Sequence, residues 1–251
     1  NVWCAAGKGT FGTEELVRRV KAVRLDQVVN HRRIIVPQLG GVGVSAPLVA
    51  KQSGFRVLYG PVDAKDIPAF VAAGRQASPG MRRVRFGIRE RLVLTPMEIV
   101  PAMRKYPLFA LVVLLLFGLR PQGILFGDAL AGGAPFLVLG LVSVFTGALL
   151  TPLSLPFIPF RAFSAKGLIA GAVATGFAME LLGMRAAHPL VQASAAVFFP
   201  LASSYIALQF TGSTTFTGMS GVKKELKVMM PLYIAGAALS PLLLVAHVIR
   251  T

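Results

Sequence analysis

The chain has 251 residues, of which 55% are hydrophobic and only 14% charged, and it carries a formal net charge of +16. Ordinary soluble domains are about 25% charged, so the composition excludes a disordered chain and argues against a purely soluble one. Its single cysteine excludes an internal disulfide framework and fits a reducing compartment.

Taken in chain order, Asn1 to Ala6 is short and apolar and reads as the end of a buried strand. No methionine or signal peptide stands ahead of it, which predicts an N-terminally truncated front domain. Residues 6–12 make a Gly-rich turn. Thr13 then caps a helix with Glu14 and Glu15 in its first turn, and Leu16, Val20, Val23 and Leu25 give that helix an apolar stripe. A strand over 33–37 and a second Gly-rich loop over 38–45 follow. Next come a short helix over 46–52 stopped by Gly54, a strand over 55–60, and a helix over 64–73 ending at Gly74. Residues 85–94 read as a last extended segment, and Thr95 caps a helix running towards Tyr106. Strands alternating with helices predict an α/β, Rossmann-like parallel sheet. Ligands of such sheets bind beyond the carboxyl ends of the strands, where the loops 7–12 and 40–43 would sit.

Charge is distributed unevenly. Residues 1–105 hold 18 Lys+Arg and 7 Asp+Glu, whereas residues 106–251 hold 8 and 3, or 11 charged residues in 146 positions. The chain therefore divides near Tyr106 into a front domain, 1–105, and an all-α transmembrane domain of about five helices, 106–251. The apolar spans lie near 106–126, 134–151, 166–183, 188–209 and 228–249, each close to the roughly 20 residues needed to cross a bilayer. Arg104, Lys105, Arg161, Lys166, Lys223, Lys224 and Lys227 flank one side of these spans, and Arg120, Arg185 and Arg250 the other. Seven against three places the front domain in the cytoplasm and the C-terminus outside. Part of the basic charge then faces an anionic leaflet, with membrane lipid as its partner. Gly167 and Gly171 form a small-residue spacing that suits close helix packing. Glu180 lies near a span end and near Arg185, which predicts an interfacial pair. Asp128, His188 and His247 also sit by span ends.

The strongest local motif is Asn1-Val2-Trp3-Cys4-Ala5-Ala6-Gly7-Lys8-Gly9-Thr10-Phe11. A phosphate-binding P-loop would need Gly where Val2 stands and Ser or Thr where Gly9 stands, so it fails at both ends. Gly7, Gly9 and Gly12 have dinucleotide-loop spacing, but no acidic residue follows about 20 positions on; Arg32 and Arg33 lie there instead. A lone cysteine is most often an inert small hydrophobe. Cys4, however, lies beside Lys8 and a Gly-rich turn, surroundings that favour a thiolate. One thiolate cannot close a zinc or iron–sulfur site, but it can be an axial ligand to a metal already held in a macrocycle.

This motif resembles the cap-helix signature of the membrane corrinoid proteins of microbial mercury methylation (the HgcA family). Residues 37–44, 54–62 and 64–70 are similar to the cobalamin-binding domain of the corrinoid iron–sulfur protein large subunit. Residues 211–217 with 220–222 resemble the family's last cytoplasmic segment. The resemblance implies a corrinoid-binding front domain, with cobalamin or a related corrinoid as cofactor. It implies that Cys4 binds the cobalt from below as a thiolate and is the catalytic residue. Asn1, Val2, Trp3, Ala5, Ala6, Gly7, Lys8, Gly9, Thr10 and Phe11 would shape the cap that presents it. Gly40, Gly41 and Gly43 would let the second loop approach the ring or its tail. The implied activity is methyl transfer from cobalt to Hg(II), giving methylmercury in an anaerobe. The implied partners are a folate-linked methyl donor and a ferredoxin-like protein with two 4Fe-4S clusters.

Other readings stay open at this point. A corrinoid methyl carrier with another acceptor in one-carbon metabolism needs the same residues. A membrane transporter with a cytoplasmic regulatory domain is weakened by five spans that show no internal repeat. The basic front residues have no aromatic platform interleaved with them, which argues against nucleic acid.

Overall fold

The computed structural model describes residues 5–6, 9–120, 123–211, 214 and 219–250. The chain separates into two compact units, Asn1–Arg85 and Phe86–Thr251.

In the first unit, helix α1 spans Thr13–Ala22 and a single turn, α2, spans Leu25–Val28. Strand β1, Arg33–Val36, leads through a tight turn at Gln38–Val42 into helix α3, Ala46–Ser53. Strand β2 is Arg56–Tyr59, and helix α4 is Ile67–Ala72. The two strands pair in parallel, with Arg33 opposite Arg56 and Val36 opposite Tyr59. α3 ends where Gly54 adopts φ +74°, a left-handed conformation that suits glycine. The core is small and rich in valine: Val17, Val36, Val44, Val49 and Val57 pack together, with Phe11 and Tyr59 against them. α1 turns Val17 and Val20 inward, whereas Val23, expected on the apolar stripe, is 57% exposed. On its outer face, Arg19 and Arg18 donate to Glu15, Arg19 Nε at 2.8 Å, and hold the Glu15 carboxyl below the usual carboxylate range.

This arrangement overturns the Rossmann-like reading. Among the described residues the first unit has one parallel pair, and helix dominates the chain. Two expected strands account for the difference. The first, 1–6, is described only at Ala5 and Ala6, which lie in a helical turn. The second, 85–94, enters a long helix at Ile88. Its alternation of arginine with apolar residues has the period of a strand, yet Arg91, Leu94 and Thr95 turn to one side at helical spacing. The Arg91 side chain is buried there and donates to the carbonyl oxygens of Phe86, at 3.1 Å, and of Pro152 and Leu153. Thr95, expected as a helix cap, sits inside that helix and donates to the Arg91 carbonyl at 3.1 Å.

The second unit is a helical bundle. α5 spans Ile88–Gly118, and a short hairpin, β3 Leu119–Arg120 with β4 Gly123–Ile124, links it to α6, Phe126–Phe145. α6 continues through a wider π turn at Thr146–Leu150 into α7, Thr151–Leu153. α8 is Phe163–Leu181, α9 is Pro189–Thr211, and α10 is Met219–Arg250. Four of these stretches are long and apolar enough to cross a membrane: Ile88–Gly118, Phe126–Leu153, Pro189–Thr211 and Gly221–Ile249. The chain is thus a multi-pass membrane protein. α8, expected as the third of five spans at 166–183, is not among the four; Lys166 and Glu180 lower the hydropathy of its 19 residues.

Bundle packing follows the rules for helices in lipid, where small residues and hydroxyls replace bulk hydrophobicity as the source of contact. A Cβ on Gly167 would collide with the Ala207 Cβ, and one on Gly171 would stand 3.0 Å from the Pro200 Cα. The Gly167/Gly171 spacing therefore seats α8 directly on α9. Ser194 and Ser240 share a hydrogen bond at 2.6 Å between α9 and α10, and Ser204 meets the Tyr233 hydroxyl at 2.9 Å. Phe136 and Phe199 stack edge to face at 5.3 Å in the middle of the bundle. Gly171→Leu is expected to overpack this seam by about 1–3 kcal/mol or more and to lower the yield of monodisperse protein in detergent. Gly176→Leu, on the same helix but facing open space, should leave that yield unchanged.

Candidate functional site

In the first unit the structure joins two of the segments singled out in the sequence. The described part of the cap comprises Ala5, Ala6, Gly9, Thr10 and Phe11. It folds on itself: the Ala5 carbonyl accepts from the Phe11 N–H and the Thr10 hydroxyl, both at 3.1 Å. Gly9 closes the turn at φ +81° and donates to the Ala6 carbonyl at 3.2 Å. Asn1, Val2, Trp3, Cys4, Gly7 and Lys8 lie outside the described residues.

The second segment, Gln38–Val42, is a turn at the carboxyl end of β1. Its glycines serve different ends. A Cβ on Gly43 would lie 2.6 Å from the Phe11 carbonyl oxygen and 2.8 Å from that of Ala6, so the cap backbone rests on this residue. A Cβ on Gly40 would lie 2.6 Å from the edge of the Phe11 ring. Gly41 differs: a Cβ there would make ordinary contact with the Tyr59 ring at 3.5 Å. Gly40 and Gly43 are therefore covered by the cap, while Gly41 faces an open groove of about 450 Å³ lined by residues 41–47 and Tyr59. Val42 stands at its edge, 67% exposed.

Thr13, Ser45 and Tyr59, none of them read from the sequence as a site residue, hold this arrangement. Thr13, expected to cap α1, ties the helix to the glycine turn. Its N–H donates to the Gly43 carbonyl at 3.0 Å, and its hydroxyl accepts from the Ser45 N–H at 2.8 Å. The Tyr59 hydroxyl donates to the Val44 carbonyl at 2.6 Å. The parallel pairing that brings the end of β2 beside the turn after β1 was the available signal for Tyr59. Tyr59→Phe removes one part-buried hydrogen bond, worth about 0.5–1.5 kcal/mol. Faster amide exchange across residues 43–45 is the expected result.

The sites near the span ends sort differently. Arg185 pairs with Glu180, as expected. The His188 and His247 rings stack 4.7 Å apart beside a cavity that Asp128 also lines. The His188 Nδ1 accepts from the Leu190 N–H at 3.2 Å. Among the described residues no group of three or more His, Cys, Asp or Glu side chains could hold a metal ion. Thr211 and Thr214, in the loop read as a polar linker, are fully buried, and the Thr214 hydroxyl donates to the Thr211 carbonyl at 2.9 Å.

Comparison with known protein families, with characterised proteins and with solved structures gives no match to this chain.

Proposed function

We propose that this chain is a membrane-bound corrinoid methyltransferase that passes a methyl group to Hg(II). The observation that carries the reading is the motif Asn1–Phe11, whose described residues are seated on the glycine turn after β1. The residues present are compatible with part of a broad flat ring. Gly41 keeps the backbone low along the open groove, and the cap is anchored directly beside it by Gly43 and Thr13.

In this reading, the bound corrinoid supplies a cobalt-held methyl group that can leave towards an electrophile. The chain's own residues do the rest. Cys4 would hold the cofactor's metal through its thiolate, and the electron density of that thiolate would favour transfer of the methyl group to a soft acceptor. Ala5, Ala6, Gly9, Thr10 and Phe11 set the height of the cap, and Gly40 and Gly43 receive it. Cys4 is the chain's sole thiol, so a partner's thiols deliver mercury. A ferredoxin-like protein with two 4Fe-4S clusters restores the reduced cofactor, and a folate-linked donor supplies the methyl group. We read the Lys/Arg bias as a cytoplasmic-membrane location with the first unit in the cytoplasm, and a C-terminus outside requires α8 to cross the bilayer as a fifth helix beside the four apolar ones.

The test is to express the parent anaerobically, as a full-length protein with the ferredoxin-like partner, and to add Hg(II). Corrinoid absorption in the purified protein together with methylmercury in the medium is the expected result. A corrinoid-loaded protein that makes no methylmercury would move the acceptor to another one-carbon reaction. A protein that takes up no corrinoid would overturn the reading.

A further inference from the structure

The membrane unit contains a cavity of about 520 Å³ between α5, α6 and α9. Its depth is aromatic and aliphatic, formed by Phe109, Val144, Phe198 and Phe199. Here Phe109 stacks on Phe198, the rings 5.9 Å apart and 4° from parallel, and meets Phe199 edge-on at 6.3 Å. The walls are firm: the Tyr106 hydroxyl donates to the Leu137 carbonyl at 2.6 Å, and that of Ser143 to the Phe199 carbonyl at 3.1 Å. Gly140 makes room for the Phe109 ring, since a Cβ there would lie 2.6 Å from it.

The mouth is chemically different. Lys105, Tyr205 and Gln209 line it and bring an ammonium, a hydroxyl and an amide. Lys105 enters no ion pair among the described residues, and the Tyr205 hydroxyl and Gln209 amide make no hydrogen bond among them. Glu98, also on the lining, is already partnered. Lys105 is the last charge on α5 before an uncharged run, 106–118. It therefore stands at headgroup level, and Phe109, one turn further, stands about 6 Å deeper.

Three uncommitted donors above an apolar slot match an amphiphile with an anionic head. We propose that this cavity holds one membrane phospholipid, its phosphate on Lys105, Tyr205 and Gln209 and an acyl chain along Phe109, Phe198 and Phe199. The volume lies within the range of small-molecule sites, and the bilayer offers this ligand at the right depth. The site is independent of the corrinoid reading and stands or falls without it.

The test uses the full chain purified in detergent, washed extensively, and examined by native mass spectrometry and lipid extraction. The parent is expected to keep one phospholipid per chain. Lys105→Gln should lower retention several-fold, and Ala202→Trp, which fills the slot, should abolish it. Lys227→Gln, beside a flatter apolar groove on α10, should retain the lipid as the parent does. Gel filtration and helical circular dichroism identify any variant that misfolds, and the exposed Lys105→Gln keeps the test open if Ala202→Trp does. Equal retention in the parent and in folded Lys105→Gln overturns the proposal. So does extraction of a quinone or free fatty acid in place of phospholipid.

Discussion

Cys4→Ala is expected to reduce methylmercury formation to the level seen without the protein. Alanine has no lone pair to offer, and no second cysteine in the chain can take its place. The loss should fall on transfer more than on loading, because the groove at residues 41–47 and Tyr59 and the seated cap remain. The measurement is methylmercury per bound corrinoid in the anaerobic preparation, with the corrinoid spectrum recorded in parent and variant. A shifted visible spectrum in the variant would mark the change of axial ligand. Cys4→Ala that methylates as fast as the parent would sink the thiolate role while leaving the corrinoid reading intact.

Gly43→Ala should detach the cap. The φ of Gly43 is −115°, open to any residue, so the cost comes from crowding and not from backbone strain. A methyl group there would press on two carbonyl oxygens, of Phe11 and Ala6, and on the Ala6 Cα. These are backbone atoms with no rotamer to change, so the cap must lift or the turn must shift. Overpacking of this kind costs about 1–3 kcal/mol, a large share of what a core of five valines supplies. The expected result is faster proteolysis within residues 5–13 and weaker corrinoid retention. Gly41→Ala is the contrasting variant. Its methyl makes ordinary contact with the Tyr59 ring, so the fold should persist. Reduced corrinoid uptake in a fully folded Gly41→Ala would point to the groove as the place where the ring or its tail lies. Unchanged uptake would move the cofactor to another face of the first unit.

Much about this chain could be read without coordinates. Eleven charges in 146 positions commit the rear part to lipid, because a soluble surface needs more. Gly167 and Gly171 marked a helix contact because only small residues let backbones approach. Gly54, at the end of α3, and the strands on either side of that helix followed from local turn and propensity rules. The proposed role of Cys4 rests on the resemblance of the Asn1–Phe11 motif and on nothing the fold supplies.

Tertiary structure decided what depends on residues distant in sequence. Whether 85–94 is strand or helix turned on Arg91, whose burial onto carbonyls of Pro152 and Leu153 no local pattern records. Without that segment as a strand, the expected sheet shrinks to one parallel pair. The glycines of the 40–43 turn looked equivalent, yet two receive the cap and one lines the groove beside Tyr59, a difference set by where Phe11 and Ala6 rest. Thr13 looked like a helix cap and instead bridges to Ser45, 32 residues on. The His188–His247 stack and the cavity below Lys105 arise from helices that only the packed bundle brings together. Sequence specifies period, charge and turn chemistry, which act over a few residues; which surfaces meet is settled by packing, where each contact depends on all the others.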